Sequence, residues 1–446
     1  MATLAIFELE SDTAAIRAAA LNLLRVVQID LFLQSIAAML NDSHPQVRQQ
    51  AIATIVAYGE ACLPVVQPLL NSEHLETEKA AIAAISQLQT RRAETILFEH
   101  FQPLYAELAR TLHWARQLPP TPAWETIMIA LRDDHNQILQ RVIYVLSCLE
   151  QDRNLTSLAS LLTASDRLIR LRAVETLASI SRYRRFIQPI LPLLEDRIRA
   201  SENQQTGPTE LPLNMTKMLL LEMVDARYRW IRITAIAHLK SHGIPLPLHL
   251  VHDPDPFVAK LATLTLSSLR SPTEELNLSR IFFLKQISIL QDLPLDDLLT
   301  INRTLKEQAF FANELIFREN SWGGDFYFIY KGAVTLLKEV KPEQKGLVPI
   351  THTFAGVPQR FLAQLEPGQF FGEMEFFDNL PRSATAIAAT DCTLLTLQKY
   401  DFQTLLAQRP EIALQMCKVL SMRLRVANEV IDQQKQAATV PDPPTP

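Results

Sequence analysis

The chain reads as a multidomain protein of the α and α+β classes, an N-terminal α-solenoid followed by a C-terminal β-roll with flanking helices. Three observations predict this. A helical motif returns at multiples of about 31 residues through the first 270 residues, and self-similarity in that range signals stacked helix pairs. Composition then changes: three of the ten glycines (Gly59, Gly207, Gly243) precede residue 323, and fourteen of the twenty phenylalanines follow residue 280. An alanine-rich, helix-favouring part thus gives way to an aromatic, turn-rich, strand-favouring one. Finally, 446 residues exceed one ordinary core, since domains run to about 100–200 residues. The expected division is 1–271 solenoid, 272–434 β-roll module and 435–446 disordered, proline-rich tail.

The repeat motif is an apolar residue, Arg, two residues, then Ala. It occurs as Ile16-Arg17 with Ala20, Val47-Arg48 with Ala51, Ile169-Arg170 with Ala173 and Ile231-Arg232 with Ala235. Weaker copies fall at Lys79, at Ile138 to Val142, and at Val258 with Ala262. Acidic residues precede several copies (Asp12, Asp42, Asp134, Asp166, Asp253) and are expected in turns. Their side chains satisfy the free N–H groups at helix starts, where Pro is also tolerated. The Asp, apolar-Arg, Ala arrangement resembles HEAT repeats, in which such acids and bases form ladders between neighbours. That resemblance implies an armadillo-like helical surface for protein–protein interaction. Residues 196–215 are polar, with Gly207, Pro208 and Pro212, and read as an inserted loop.

Charge and composition exclude several function classes. A net charge of −5 does not suit a protein devoted to nucleic acid. The cluster Arg182, Arg184, Arg185, Arg197, Arg199, Arg227, Arg229 and Arg232 reads as solvated helix faces. Cys62, Cys148, Cys392 and Cys417 form no CxxC pair and suit reduced thiols of a cytoplasmic protein. No window of eighteen apolar residues occurs. His249 and His252 are an incomplete metal-ligand set. No nucleophile–base pair or glycine-rich phosphate loop is spaced for catalysis, so no enzyme is expected.

In the second part, Ile281, Leu284, Ile287 and Leu290 share one helix face, and the helix breaks at Leu293-Pro294. Strand signals follow at Leu315 to Phe317, Phe326 to Tyr330 and Val334 to Leu337, with turns at Gly323-Gly324 and Gly332, and again at Thr385 to Ala389 and Thr393 to Leu397. Residues 401–434 read as a helix with Pro410 near its start and Ile412, Met416, Val419, Leu420, Leu424 and Ala427 on a stripe.

The most informative string is Phe371-Gly372-Glu373, seven residues, then Pro381-Arg382-Ser383-Ala384. It pairs a Gly that permits close backbone approach, a carboxylate that can accept from a hydroxyl, and an Arg that can hold a phosphate. The string FGEMEFFDNLPRSATA resembles the phosphate-binding cassette of cyclic-nucleotide-binding domains of the catabolite-activator and protein-kinase-A regulatory-subunit type. The resemblance implies a signalling protein whose ligand is a cyclic mononucleotide, cAMP or cGMP, rather than a catalytic cofactor. It also implies ligand-binding roles for Gly372, Glu373, Met374, Glu375, Arg382, Ser383 and Ala384. Arg382 would hold the phosphate with Ser383 and the Ala384 N–H, and Glu373 the ribose 2′-OH. The sequence departs from the family at Glu375, where a small residue is usual. Aimed inward, that carboxylate would repel the ligand. Lys338 to Gln359 is an insertion relative to compact members.

Three readings follow. In the first, a cytoplasmic regulatory protein senses a cyclic nucleotide and presents its HEAT-like surface to a protein partner, which the resemblance extends to a membrane nucleotide transporter. In the second, a scaffold carries a degenerate cyclic-nucleotide domain. The third is a bilin lyase of the HEAT-like type, for which no catalytic residue is visible. With only a Pro-rich tail after the last helix, no helix-turn-helix module is expected.

Overall fold

The computed structural model describes residues 2–72, 74–163, 166–179, 182–199, 211–267, 278–340, 351–354, 356–378, 380–409 and 411–438. The chain divides into two compact units, Met1–Ala262 and Thr263–Pro446. The boundary expected at 271/272 falls outside the described residues, as do most of the 196–215 loop, residues 341–350 of the Lys338 to Gln359 insertion, and the tail beyond Ala438.

Among its described residues the first unit has helices and no strand. It opens with α1 (Ala2–Glu8), α2 (Ala14–Val27), α3 (Leu33–Ala38), α4 (Pro45–Ala57), α5 (Leu63–Val66) and α6 (Leu75–Gln87). Repeat alanines Ala20 and Ala51 and the neighbouring Leu21, Leu24, Val47 and Ile55 are buried between consecutive helices. A small residue at the motif's Ala position is what lets adjacent helices approach. The repeat arginines then tie one turn to the next. Arg17 donates to the Ser11 carbonyl at 2.7 Å, Arg48 to that of Asp42 at 2.8 Å and Arg232 to that of Ala226 at 2.7 Å, the same six-residue reach each time. Each also reaches an acid of the following repeat: Asp42 for Arg17 (2.7 Å), Glu76 for Arg48 (3.1 Å) and Asp253 for Arg232 (3.1 Å). Asp42, Asp166 and Asp253 accept from backbone N–H groups two residues ahead, as turn acids should. Asp12 is not a cap: α2 starts after Thr13, whose side chain makes no cap bond.

The regular period stops at α7 (Arg91–Gln117) and α8 (Glu125–Glu150), helices of 27 and 26 residues. The turn expected at Asp134 does not exist. Asp134 is buried in the middle of α8, and Ile138 and Val142 belong to the same helix. No Gly or Pro interrupts residues 125–150, and Ile127, Leu131, Ile138, Val142, Val145 and Leu149 keep a continuous buried face, so nothing ends the helix. Beyond it come α9 (Leu158–Leu162), α10 (Arg167–Ser179), α11 (Arg184–Ile187), α12 (Leu191–Arg199), α13 (Leu213–Met223), α14 (Arg229–Ser241) and α15 (Pro256–Ser267). Several arginines of the basic cluster are tied to neighbours: Arg185 to Glu94 (2.9 Å), Arg197 to Asn136 (2.6 Å) and Arg229 to Asp255 (3.3 Å). Among the described residues no helix is long and apolar enough to cross a membrane.

Among its described residues the second unit has α16 (Leu278–Gln286) and α17 (Leu295–Thr304), then nine antiparallel strands: β1 (Lys306–Phe310), β2 (Leu315–Phe317), β3 (Asp325–Lys331), β4 (Val334–Glu339), β5 (His352–Phe354), β6 (Val357–Leu365), β7 (Phe370–Phe371), β8 (Thr385–Ala388) and β9 (Cys392–Gln398). They form two sheets, in the orders β1-β9-β3-β7 and β2-β8-β4-β6-β5. Strand alternation divides the aromatic residues between two cores. Tyr327, Ile329 and Phe371 pack between the sheets with Val334, Ala386 and Leu394. Phe326, Phe328 and Phe370 are buried on the other face, where Phe326 meets Phe402 at 5.1 Å and Phe376 at 6.0 Å. Phe376 lies in the short α18 (Met374–Asp378) and Phe402 in α19 (Lys399–Gln408), so both helices are anchored to that sheet. The single helix expected over 401–434 is two: α19 ends before Pro410 and α20 (Glu411–Ala438) follows. Arg409 precedes Pro410 in the sequence, a position driven from helical geometry, and its backbone is non-helical (φ −133°, ψ 73°).

Candidate functional site

The site lies where β7 runs through Gly372 into α18 and the chain returns through Arg382 to β8. Gly372 has φ +84°, and a Cβ there would fall 2.6 Å from Arg382 Nη1 and 3.0 Å from the Asp325 carbonyl oxygen. Only glycine fits both the backbone and the space. That space is filled by the Arg382 guanidinium.

Arg382 is 3% exposed. Its Nη1 donates to the Gly372 carbonyl at 2.8 Å and its Nη2 to the Asp325 carbonyl at 2.7 Å. The guanidinium carbon stands 4.4 Å from the centre of the Phe317 ring, a cation–π contact from β2. Its backbone pairs with the 320–321 turn, the Arg382 N–H donating to Ser321 O and the Asn320 N–H to Arg382 O, both at 2.9 Å. The arginine is therefore fixed at its backbone, its fork and its face.

Glu375 meets it from α18. Its Oε2 lies 3.2 Å from Arg382 Nε, and its Oε1 accepts from the Gly323 and Gly324 N–H groups at 3.3 and 3.2 Å. The Arg382 Nε–H is not aligned on the carboxylate, so the contact is charge against charge rather than a well-formed hydrogen bond. Glu375 is 6% exposed. It points inward because Phe376 anchors α18 against Phe326 and Phe402 and because two glycine amides and a guanidinium converge on its carboxylate. A phosphate would seek the same set of partners, backbone amides plus an arginine.

Glu373 is likewise buried, at 5% exposure, and burial pushes its carboxyl above the usual range while Arg423 pulls the other way. Arg423, from α20, donates to Glu373 Oε1 at 2.9 Å and to the Phe370 carbonyl at 2.8 Å, its guanidinium carbon 4.6 Å from the Phe370 ring centre. Ser383 is exposed, its hydroxyl 3.2 Å from Met374 Sδ and its carbonyl accepting from Lys338 Nζ at 2.6 Å. Ala384 is buried at the head of β8, and Met374 is half exposed. Of the seven residues singled out in the sequence, Arg382 is thus brought against Gly372 and Glu375, and Ser383 against Met374, while Glu373 is paired with Arg423. The inward Glu375 corresponds to the orientation that opposes an anion.

Sequence reasoning missed four participants: the Asp325 carbonyl, the Gly323 and Gly324 amides as acceptors' partners, the Phe317 ring and Arg423. Gly323-Gly324 and Phe317 were legible only as a turn and a strand, and Arg423 only as a charged residue interposed between Leu420 and Leu424. Elsewhere, His249 Nε2 meets Asp225 Oδ1 at 3.1 Å on an exposed surface, and no group of three metal-type ligands occurs among the described residues.

The second unit is thus a β-roll with a buried arginine in its cassette, and the first a helical repeat array. Residues 307–409 match the family model of the cyclic nucleotide-binding domain, and residues 33–113 that of HEAT repeats. The chain therefore joins HEAT repeats to a cyclic nucleotide-binding domain. It is 39% identical over 87 residues to the cyclic AMP receptor protein of Thermus thermophilus, covering 20% of this chain and 40% of that protein. To a cyclic nucleotide-gated potassium channel of Rhizobium etli it is 33% identical over 127 residues, 28% of this chain and 30% of the channel. Among solved structures, the Thermus thermophilus catabolite activator protein is 27% identical with a TM-score of 0.28, covering 33% of this chain and 63% of that one. The chain thus spans less than half the length of these curated relatives.

Proposed function

We propose that this chain is a non-catalytic cytoplasmic regulatory protein whose β-roll reads a cyclic mononucleotide, cAMP or cGMP, and whose HEAT repeats hold a protein partner. The observation that carries this reading is Arg382, buried and clamped by the Gly372 and Asp325 carbonyls, ten residues beyond a glycine that only this packing requires. The phosphate binds to Arg382 and to the amides around it, and Glu373 takes the ribose hydroxyl. Glu375 must leave Arg382 for this to happen, so the ligand competes with a carboxylate of the protein itself. The partner on the repeats is a protein, a membrane nucleotide transporter being the candidate that the sequence resemblance suggests.

A second reading is favoured by Glu375 itself: a scaffold whose internal carboxylate has permanently replaced the phosphate. Titration calorimetry of the full chain with cAMP and with cGMP separates the two. The sensor reading expects saturable heat in the wild type, weakened at least tenfold by Arg382→Lys, because lysine keeps the charge but cannot hold two carbonyls and a phosphate at once. No binding in the wild type at millimolar ligand would sink it and leave the scaffold.

A further inference from the structure

The long helices that interrupt the repeat period enclose a layer of carboxylates that the ligand site does not use. Glu107 of α7 and Asp133 and Asp134 of α8 are 7%, 1% and 7% exposed. Two of them join this helix pair to the α13–α14 repeat. Glu107 Oε1 accepts from the Arg227 N–H at 2.9 Å, and Asp133 Oδ2 accepts from the Tyr228 hydroxyl at 2.6 Å, with Gln137 donating to both that hydroxyl (2.8 Å) and Asp133 (3.2 Å). Arg110 supports the junction, reaching Glu107 Oε2 at 2.6 Å and the Asp225 carbonyl at 3.4 Å. Asp134 has a different position. Its Oδ2 is buried with no hydrogen-bond partner, beside two carboxylates already committed as acceptors. An uncompensated charge is least tolerable there.

We propose that Asp134 is a proton-operated element of the solenoid, which holds the α7–α8 pair against the α13–α14 repeat when uncharged and loosens that junction when charged. The groups around it fix the range. Burial, then Glu107 and Asp133, push its carboxyl up to about 7, against the pull of Arg227 from the α13–α14 turn and Arg141 two turns further along α8. Arg141 is itself 3.7 Å from Glu78 of α6, which weakens its hold on Asp134. The adjacent His135 stays neutral, since burial lowers it to about 3 and its Nε2 meets Thr111 Oγ1 at 2.9 Å. Arg197 of α12 is turned to Asn136 at 2.6 Å.

The sign follows from linkage. A carboxyl raised in the closed state binds its proton there more tightly than in the open state, so closure is favoured at low pH and weakens as pH rises through about 7. An open-state value near the ordinary 3.9 makes the opening constant about tenfold larger at pH 8 than at pH 6.

Hydrogen exchange of the full chain at pH 6 and pH 8, corrected for intrinsic rates, reads this at residues 213–241. The wild type is expected to open about tenfold more at pH 8. Asp134→Asn, which ionises in neither state, is expected to lose the pH dependence and to be more protected at both pH values than the wild type is at pH 6, and Glu107→Gln, which removes one repelling carboxylate, to shift the transition to lower pH. Equal protection of the wild type at both pH values would overturn the proposal. So would an unchanged pH dependence in Asp134→Asn or an unmoved transition in Glu107→Gln.

Discussion

Glu375 Oε2 lies 3.2 Å from Arg382 Nε, and neither side chain is more than 6% exposed. A carboxylate of the protein thus occupies the charge contact that a cyclic phosphate would need. The Gly323 and Gly324 amides at its other oxygen make the imitation closer, since an oxyanion bound by backbone N–H groups and one arginine is how a phosphate is held. Any ligand bearing a phosphate has to outcompete an internal group of effectively fixed local concentration. Under the proposed sensor function, affinity in the wild type is set by the difference between two similar anions rather than by the full strength of the arginine.

The two glycines that flank the cassette test whether Arg382 really fills the Gly372 space. Gly368 and Gly372 have nearly the same backbone, φ +85° and +84°, but a Cβ at Gly368 meets nothing within 4 Å, whereas one at Gly372 meets Arg382 Nη1. Gly368→Ala should cost only the left-handed strain, about 1–2 kcal/mol. Gly372→Ala should cost that and also dislodge Arg382. Denaturant melts should therefore rank Gly372→Ala as clearly the less stable, and calorimetry should find ligand binding reduced only there. Equal losses of stability would show that the guanidinium moves aside at no cost.

Arg423 is expected to matter through Glu373. Removing it leaves a buried carboxylate without its partner, and an unsatisfied buried group costs about 1–3 kcal/mol. Burial already raises the Glu373 carboxyl in the folded state. Stability linked to a raised carboxyl is present below its unfolded value and is lost as pH rises through the folded one. In Arg423→Ala the folded value rises further, so the mutant should lose more stability at pH 8 than at pH 5, where protonation relieves Glu373. Thermal melts at the two pH values check this, and a deficit independent of pH would mean that Arg423 acts only by packing on Phe370.

Much of this was legible in the sequence where the determinants are local. The ladder arginines could be read because each meets a turn six residues back, and the cassette because its residues lie within fourteen positions. Long-range partners left little mark. Glu375 could be flagged as a departure, but its inward direction depends on Gly323 and Gly324, more than fifty residues away, and on Phe376 packing against Phe326. The turn expected at Asp134 failed because periodicity was extended across a stretch with no helix breaker. Pro103 sits inside α7 and does not end it. Pro410 did the reverse, splitting a helix that the apolar stripe alone would join.

The affinity of Glu375→Ala for cAMP or cGMP, measured by titration calorimetry beside the wild type, tests most directly whether this carboxylate stands in the phosphate's place. Its removal leaves Arg382 buried without a counter-charge, a loss of about 3–5 kcal/mol for a broken buried pair, and a bound phosphate can restore the missing charge. The variant should accordingly be less stable than the wild type when free and should bind the cyclic nucleotide at least tenfold more tightly, which corresponds to about 1.4 kcal/mol or more. Affinity unchanged or reduced in Glu375→Ala, in a variant that still folds, would contradict the claim.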